Sequence, residues 1–394
     1  MNIRIMRILV VAICFSFIGQ GYAQKSDSLF QVQYAAALKK LNEGAYREAS
    51  SQLSQVIGAG YTNPEAYLKR GVAYVYLKEY EKAKTDFSQA EKAGITTAEF
   101  FEFRGNTRCA LKDWKGAVED LEKLTTTGRT DVEIFQKIGT AKYTLLDYKG
   151  AADALGKVVQ RGVKDKDVFS MLGLSLGRLD DCKGATQALS AATSMGASSK
   201  EIFTQLGNCQ FAAKDYAGAT ESLSRAIGLG ENSKEIFIAR GHSLYVQNDY
   251  DNAAKDYEKA VSLGANEFEV FKNLGDIRFM KNDFAGAIKQ YDQAIKISDK
   301  DAVVFNNRGK AKSSTGDNKG ALPDFDRALQ LNPTYTKSMF NRGMSRFDVQ
   351  DYTGAVEDLE KTKTTEGDSP ELQRRLGIAK YNLGLKDAAK VNLE

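Results

Sequence analysis

The stretch from Phe305 to Pro333, FNNRGKAKSSTGDNKGALPDFDRALQLNP, decides the fold, because its pattern recurs along the chain. Its Gly309 belongs to a series of glycines spaced 34 residues apart, and an alanine follows each of them after twelve residues. The glycines of this series are Gly71, Gly105, Gly139, Gly173, Gly207, Gly241, Gly275, Gly309, Gly343 and Gly377. A fixed period of this length indicates an array of one supersecondary unit.

The residue pattern of each 34-residue unit predicts two helices. Apolar residues at helical spacing, such as Phe271, Leu274 and Phe279, indicate the first helix. An aspartate then precedes the second helix, where its carboxylate can cap free N–H groups. These aspartates are Asp113, Asp147, Asp181, Asp215, Asp249, Asp283, Asp317 and Asp351. The repeat glycine and alanine are small, so we expect the two helices to approach closely there.

Two further features concern the second helices. Another series with the same period lies at their ends, where glycine is the usual residue in the left-handed conformation that terminates a helix. Its members are Gly60, Gly94, Gly128, Gly162, Gly196, Gly230 and Gly264. Pro323 falls inside the ninth second helix, and we expect it within the first turn, where its missing N–H has little effect.

The quoted stretch resembles the tetratricopeptide repeat. The matching residues are Arg308, Gly309, Gly316, Asp317, Ala321, Phe325, Ala328 and Pro333. The resemblance implies an all-α, right-handed superhelical solenoid of about eleven helix-turn-helix repeats over residues 30–394, with the last repeat incomplete. It also implies a concave face lined by the first helices. Most units end in glycine instead of the family's proline, which changes the turn but not the fold.

Five units carry an arginine immediately before the repeat glycine, and only those five carry an aspartate sixteen residues later. The pairs are Arg70 with Asp86, Arg104 with Asp120, Arg240 with Asp256, Arg308 with Asp324, and Arg342 with Asp358. Residues that vary together indicate contact. We therefore expect an ion pair between the two helices of each unit; the alternative is that these arginines face a ligand.

The resemblance also places a partner-binding groove on the first helices. Its candidate residues are Gln136, Tyr143, Asn208, Phe211, His242, Tyr245, Lys272, Asn273, Phe279, Asn306, Asn307, Lys310, Asn341 and Phe347. Rings beside amides suit an extended peptide or a partner helix. The alternative is that the rings pack between neighbouring repeats. We expect His242 to be a polar groove residue and not a ligand or a base.

Chaperone-binding members of the family hold a C-terminal carboxylate with lysines and asparagines. Lys272, Asn307 and Lys337 match three of those places. Asp276 stands where an asparagine is expected, and Asn341 stands where a basic residue is expected. Because an acid at the centre opposes a carboxylate ligand, we do not expect this clamp.

Composition excludes several classes of function. The chain has 394 residues, with 55 basic and 51 acidic side chains and a net charge of +4, so no phosphate-binding stripe and no nucleic-acid partner are expected. Its one histidine leaves little scope for histidine metal sites or acid–base chemistry. The GxxxxGK[ST] and HExxH motifs are absent from the sequence. We expect no enzyme activity, no cofactor and no metal.

Residues 1–23 have the pattern of a cleaved secretory signal peptide: basic Arg4 and Arg7, an apolar run from Ile8 to Ile18, and small residues before Gln24. An uncleaved anchor is the alternative. Residues 24–29 form a short N-terminal segment, and no later segment predicts a membrane span. These features predict an exported protein, periplasmic or associated with the outer membrane. Three cysteines then remain (Cys109, Cys182 and Cys209), and we expect inert thiols, with a Cys182–Cys209 disulfide as the alternative.

Taken together, the sequence predicts a non-catalytic scaffold of the bacterial cell envelope that binds proteins or extended peptides. By analogy with exported repeat proteins, it would be an accessory part of a secretion or outer-membrane assembly complex. A module that binds carbohydrate or peptidoglycan is the alternative. The chain stops at Asn392-Leu393-Glu394, early in a second helix and without a polar capping helix. Since solenoids need capped ends, we expect that the chain continues or that this end docks on another subunit.

Overall fold

A computed structural model of the chain describes residues 28–363 and 369–393. The described residues contain helices joined by short turns and no β-strand. The predicted signal peptide lies outside the described residues. The chain divides into two units, with the boundary between Ala197 and Ser198.

The first unit contains five helix pairs. Their helices are α1 (28–42), α2 (Tyr46–Gly58), α3 (Glu65–Tyr76), α4 (Tyr80–Lys92), α5 (Ala98–Ala110), α6 (Trp114–Thr126), α7 (Val132–Thr144), α8 (Tyr148–Gln160), α9 (Lys166–Arg178) and α10 (Cys182–Ser194).

The second unit contains six helix pairs. Their helices are α11 (Lys200–Ala212), α12 (Tyr216–Gly228), α13 (Lys234–Val246), α14 (Tyr250–Ser262), α15 (Phe268–Met280), α16 (Phe284–Ile297), α17 (Ala302–Ser314), α18 (Asn318–Leu331), α19 (Thr336–Asp348), α20 (Tyr352–Thr362), α21 (Pro370–Asn382) and α22 (Lys386–Leu393). The eleven pairs confirm the predicted all-α repeat solenoid.

Aspartate caps begin the second helices, as predicted. Asp215 accepts a hydrogen bond from the backbone N–H of Gly218 at 3.0 Å, and Asp317 accepts one from Gly320 at 2.8 Å. All eight predicted aspartates cap in this way. The donor is a glycine in seven of these caps, and a Cβ atom there would collide with the capping carboxylate. These seven glycines at the starts of the second helices were not predicted from the sequence.

The repeat glycines mark the closest approach of the two helices in each pair. A Cβ atom on Gly139 would lie 2.6 Å from Cγ of Leu155, and one on Gly309 would lie 2.8 Å from Cε1 of Phe325. Both contacting side chains are fully buried. The close approach predicted from the 34-residue glycine series is therefore confirmed.

The turns between helices use left-handed backbone in two places. The predicted glycines after the second helices all have positive φ, for example +90° at Gly128. The turn inside most pairs also contains a residue with positive φ that is not glycine, which the sequence did not predict. These residues are Lys78, Lys112, Leu146, Asp180, Lys214, Asn248, Asn282 and Gln350. The ninth pair has Gly316 at this place instead.

Two expectations are wrong. Pro323 is the sixth residue of α18 and lies beyond the first turn, because the helix already begins at Asn318 after its Asp317 cap. The expectation of inert thiols is wrong for Cys182 and Cys209, each of which is in a disulfide, while Cys109 is free. The spacing of cysteines in a sequence does not show which of them are oxidised. Burial raises the pKa of the Cys109 thiol.

No helix within residues 28–363 and 369–393 has both the length and the apolar character needed to cross a membrane.

Candidate partner-binding groove

All five expected ion pairs are present, and they account for the arginines. In the pair Arg104–Asp120, Nε lies 2.8 Å from Oδ2 and Nη2 lies 2.7 Å from Oδ1. The other four pairs have the same two-bond geometry. The five aspartate side chains are between 0% and 6% exposed. These arginines thus neutralise buried carboxylates inside the repeats, which removes the alternative that they face a ligand.

Most of these arginines also reach the preceding repeat. Nη1 of Arg70 donates to Oγ of Ser54 at 3.1 Å, and Nη1 of Arg308 lies 2.7 Å from Oδ1 of Asp292. Each acceptor lies on the preceding second helix, sixteen residues before its arginine, and Ser224 and Asp326 repeat the arrangement for Arg240 and Arg342. This contact between repeats was not predicted from the sequence.

The first helices of the second unit share one polar face. Nδ2 of Asn307 on α17 donates to Oδ1 of Asp276 on α15 at 3.0 Å. Nδ2 of Asn341 on α19 donates to Oδ1 of Asn306 at 3.0 Å. The structure therefore brings together the groove residues of these consecutive repeats. Gln136 and Tyr143 lie on α7 in the first unit, and both are half-buried.

Each aromatic residue of the groove packs within its own repeat. The ring centroids of Phe279 and Phe284 are 5.2 Å apart, with an angle of 62° between the ring planes. The aromatic residue that begins the second helix is the partner in every case: Tyr143 with Tyr148, Phe211 with Tyr216, Tyr245 with Tyr250, Phe279 with Phe284, and Phe347 with Tyr352. All five groove rings keep some exposure, so they can still contribute apolar area to a partner.

Two of the proposed groove amides, Asn273 and Asn306, are buried and do not line the groove surface. Asn273 is 6% exposed, and its Nδ2 donates to Oη of Tyr257 at 3.1 Å. Asn306 is 4% exposed and bonds to both neighbouring amides, Asn307 and Asn341. Both lie beneath the surface, Asn273 two positions before its repeat glycine and Asn306 three positions before. Lys272, Asn307 and Asn341 are half-buried, whereas Asn208 and Lys310 are exposed.

His242 forms part of this polar layer. Oη of Tyr257 lies 2.9 Å from Nδ1 of His242. The same hydroxyl accepts a hydrogen bond from Asn273, so the tautomer of His242 decides which atom donates in the contact with Nδ1. Burial lowers the pKa of His242. The histidine therefore acts as a hydrogen-bonded packing residue at neutral pH.

A cavity of about 250 Å³ opens in this face. It is lined by Tyr245, Asp276, Phe279, Met280, Tyr291, Asn307 and Lys310. Oδ1 of Asp276 accepts hydrogen bonds from Oη of Tyr291 at 2.7 Å and from Asn307. Burial raises the pKa of Asp276, and it raises the pKa of Tyr245 to about 12. From the sequence, Asp276 was noted only as a departure from the carboxylate clamp.

Comparisons with known proteins agree with this architecture. Tetratricopeptide repeat family models match residues 64–93, 170–234, 238–302 and 302–335. No curated protein matches the chain. Among solved structures, YrrB, described as a TPR protein with an unusual peptide-binding site, is 19% identical over 48% of this chain and 97% of its own, with a TM-score of 0.42. A MamA structure is 21% identical over 40% of this chain and 87% of its own, with a TM-score of 0.38.

The family matches fall in register with the helix pairs. The segments 64–93 and 302–335 each span one pair, α3 with α4 and α17 with α18. The segments 170–234 and 238–302 fall on the pairs between them. With eleven helix pairs of one 34-residue pattern, the chain is a tetratricopeptide repeat protein.

Proposed function

We propose that this protein is a non-catalytic scaffold of the bacterial cell envelope that binds protein or extended peptide partners on its groove. The tetratricopeptide repeat fold supports a protein–protein interaction scaffold. The repeated helix pair supplies rigid elements on which side chains from several repeats can form one surface.

The shared face of α13, α15, α17 and α19 is the observation that carries this proposal. It combines half-buried rings, the amides of Asn307 and Asn341, and a cavity at Asp276. Amides can bond the main chain of an extended peptide, and rings supply apolar area at a small cost in conformational entropy. The five paired arginines are excluded from this surface, because their charges are already matched.

Export and an accessory role in secretion or outer-membrane assembly are the finer part of the proposal. Their support is the sequence of residues 1–23, with its basic start, short apolar run and small residues before Gln24. N-terminal sequencing of the protein from fractionated cells tests export. We expect a mature chain that starts at Gln24 and is recovered with the periplasm or outer membrane. A chain that retains Met1 in the cytoplasmic fraction would contradict it.

Site-specific photo-crosslinking in the native envelope tests the groove. A photoreactive amino acid is placed at Asn208 or Lys310, both exposed on first helices, or at the control positions Lys255 and Lys289, exposed on second helices. We expect discrete protein adducts from the first pair and few from the controls. Equal labelling from both sets would overturn the groove, and adducts with peptidoglycan in place of protein would support the carbohydrate alternative.

A further inference from the structure

Asp276 differs from every other residue at its place in the repeat. The residues that directly follow the repeat glycines are Val72, Asn106, Thr140, Leu174, Asn208, His242, Asp276, Lys310, Met344 and Ile378. Asp276 is the single carboxylate in this series, and it lies at the cavity in the groove. A carboxylate in such a place is costly unless a partner neutralises it.

The protein does not supply that partner in its described residues. Both hydrogen bonds to Asp276, from Tyr291 and Asn307, come from neutral groups, and both reach Oδ1. They hold the carboxylate in one orientation and leave Oδ2 without a donor from residues 28–363 or 369–393. Neither Lys272 nor Lys310 bonds this carboxylate: Lys272 pairs with Glu269 at 3.3 Å, and Nζ of Lys310 lies over the Phe279 ring. The five buried aspartates of the Arg–Asp pairs, by contrast, all have arginine partners.

The aromatic lining suits a cation. Tyr245, Phe279 and Tyr291 border the cavity beside the carboxylate, and ring faces attract ammonium and guanidinium groups. Nζ of Lys310 lies 5.1 Å from the centroid of Phe279, so one ring of this lining already contacts a cation. A cavity of about 250 Å³ falls below the roughly 300–1,000 Å³ of small-molecule sites, which favours a single side chain.

We propose that this cavity binds the lysine or arginine side chain of an extended peptide partner, with Oδ2 of Asp276 as the acceptor and the rings around its alkyl stem. The inference rests on the proposed function, since it names the chemistry that the groove selects. It predicts a basic anchor residue in the bound segment, the opposite of a clamp for a terminal carboxylate.

Selection from a displayed library of random twelve-residue peptides tests the inference on the full chain. We expect the wild-type protein to enrich peptides with lysine or arginine at one position, and Asp276→Asn to lose that preference while still recovering peptides. Asparagine keeps an oxygen for the Tyr291 and Asn307 bonds, so the variant should fold, which its urea midpoint verifies. Asp153→Asn, an exposed aspartate on α8, is the matched control and should select as the wild type does.

Affinities of one selected peptide give the second measurement. Replacing its basic residue by norleucine should weaken binding to the wild type about tenfold or more, and should leave binding to Asp276→Asn unchanged. Phe279→Leu should weaken binding of the basic peptide in the same way. Enrichment of peptides with no preference for lysine or arginine at any position would overturn the inference. It would also be overturned if Asp276→Asn lost equal affinity for the basic peptide and for its norleucine form. Either result would leave the proposed function standing.

Two other outcomes would also contradict the inference. Recovery of no peptide by the wild-type chain would overturn the proposed function and this inference with it. Binding of chitooligosaccharides that is lost in Asp276→Asn would assign the cavity to a sugar and also overturn the inference.

Discussion

The pair Arg70–Asp86 gives the sharpest test of how the repeats are held together. Its two hydrogen bonds are 2.8 and 2.7 Å long, and the Asp86 side chain is 3% exposed. Arg70 is the sole cation bonded to Asp86 in the described chain. In contrast, Asp324 has Lys312 as a second cation, with Nζ 2.8 Å from Oδ2. Removing the arginine therefore leaves a buried, unpaired charge at Asp86 but not at Asp324.

The chain itself provides the replacement for a variant. At the same two places the repeat of α9 and α10 carries Leu172 and Ala188, which are both buried. Arg70→Leu should destabilise its repeat by about 3–5 kcal/mol, the usual cost of breaking a buried pair. Arg70→Leu combined with Asp86→Ala should recover most of that loss, because no charge remains. Arg308→Leu should have a smaller effect, since Lys312 still neutralises Asp324.

The pH dependence of Arg70→Leu follows from the same charge. Burial raises the pKa of Asp86 even beside Arg70, and removing the arginine raises it further. The folded variant then binds a proton more readily than the unfolded chain, whose aspartate has a pKa of about 3.9. Its deficit relative to the wild type is therefore largest near pH 7 and shrinks as the pH falls through the raised pKa.

Hydrogen exchange of α3 and α4 is the suitable assay, because a repeat array can open locally and a single global midpoint would average over repeats. The double variant should exchange nearly as slowly as the wild type, and Arg70→Leu much faster. Equal acceleration in the single and double variants, which means no coupling between the two residues, would refute the reasoning.

Three further predictions concern stability, each checked by urea denaturation. Leu146→Gly should stabilise the protein by about 1 kcal/mol, since Leu146 holds φ of +64° and its side chain is 68% exposed; a loss of stability would contradict this. Gly139→Ala should destabilise by about 1–3 kcal/mol through its clash with Leu155, whereas Gly156→Ala, which has open space, should stabilise by about 0.5–1 kcal/mol. Because burial lowers the pKa of His242, the folded protein should lose stability as the pH falls below about 6.5, and His242→Gln should remove that dependence.

Features within one repeat could be predicted from the sequence. The Asp215 cap and the contact at Gly139 depend on local spacing, which the 34-residue period repeats often enough to make clear. The pair Arg308–Asp324 was visible for a related reason, because both residues are present or absent together. Covariation among the repeats of this one chain was enough to indicate the contact.

Features that depend on how one repeat packs on the next could not be predicted. The contact from Arg308 to Asp292 and the burial of Asn306 both require the position of the neighbouring helix pair. The groove rings illustrate the same limit, since Phe279 packs on Phe284 of its own repeat and is also covered by Lys310 of the next repeat. The positive φ of Leu146 could not be predicted either, because the sequence around a non-glycine residue does not show that its φ is positive. The position of Pro323 could have been predicted, because the Asp317 cap already makes Pro323 the sixth residue of α18.

Hydrogen exchange of the full chain, with and without a partner captured by crosslinking, shows whether the first helices form the binding surface. We expect the partner to slow exchange in the first helices α13, α15 and α17, and Asp276→Asn to weaken this protection. Protection confined to the second helices α14, α16 and α18 would contradict the groove.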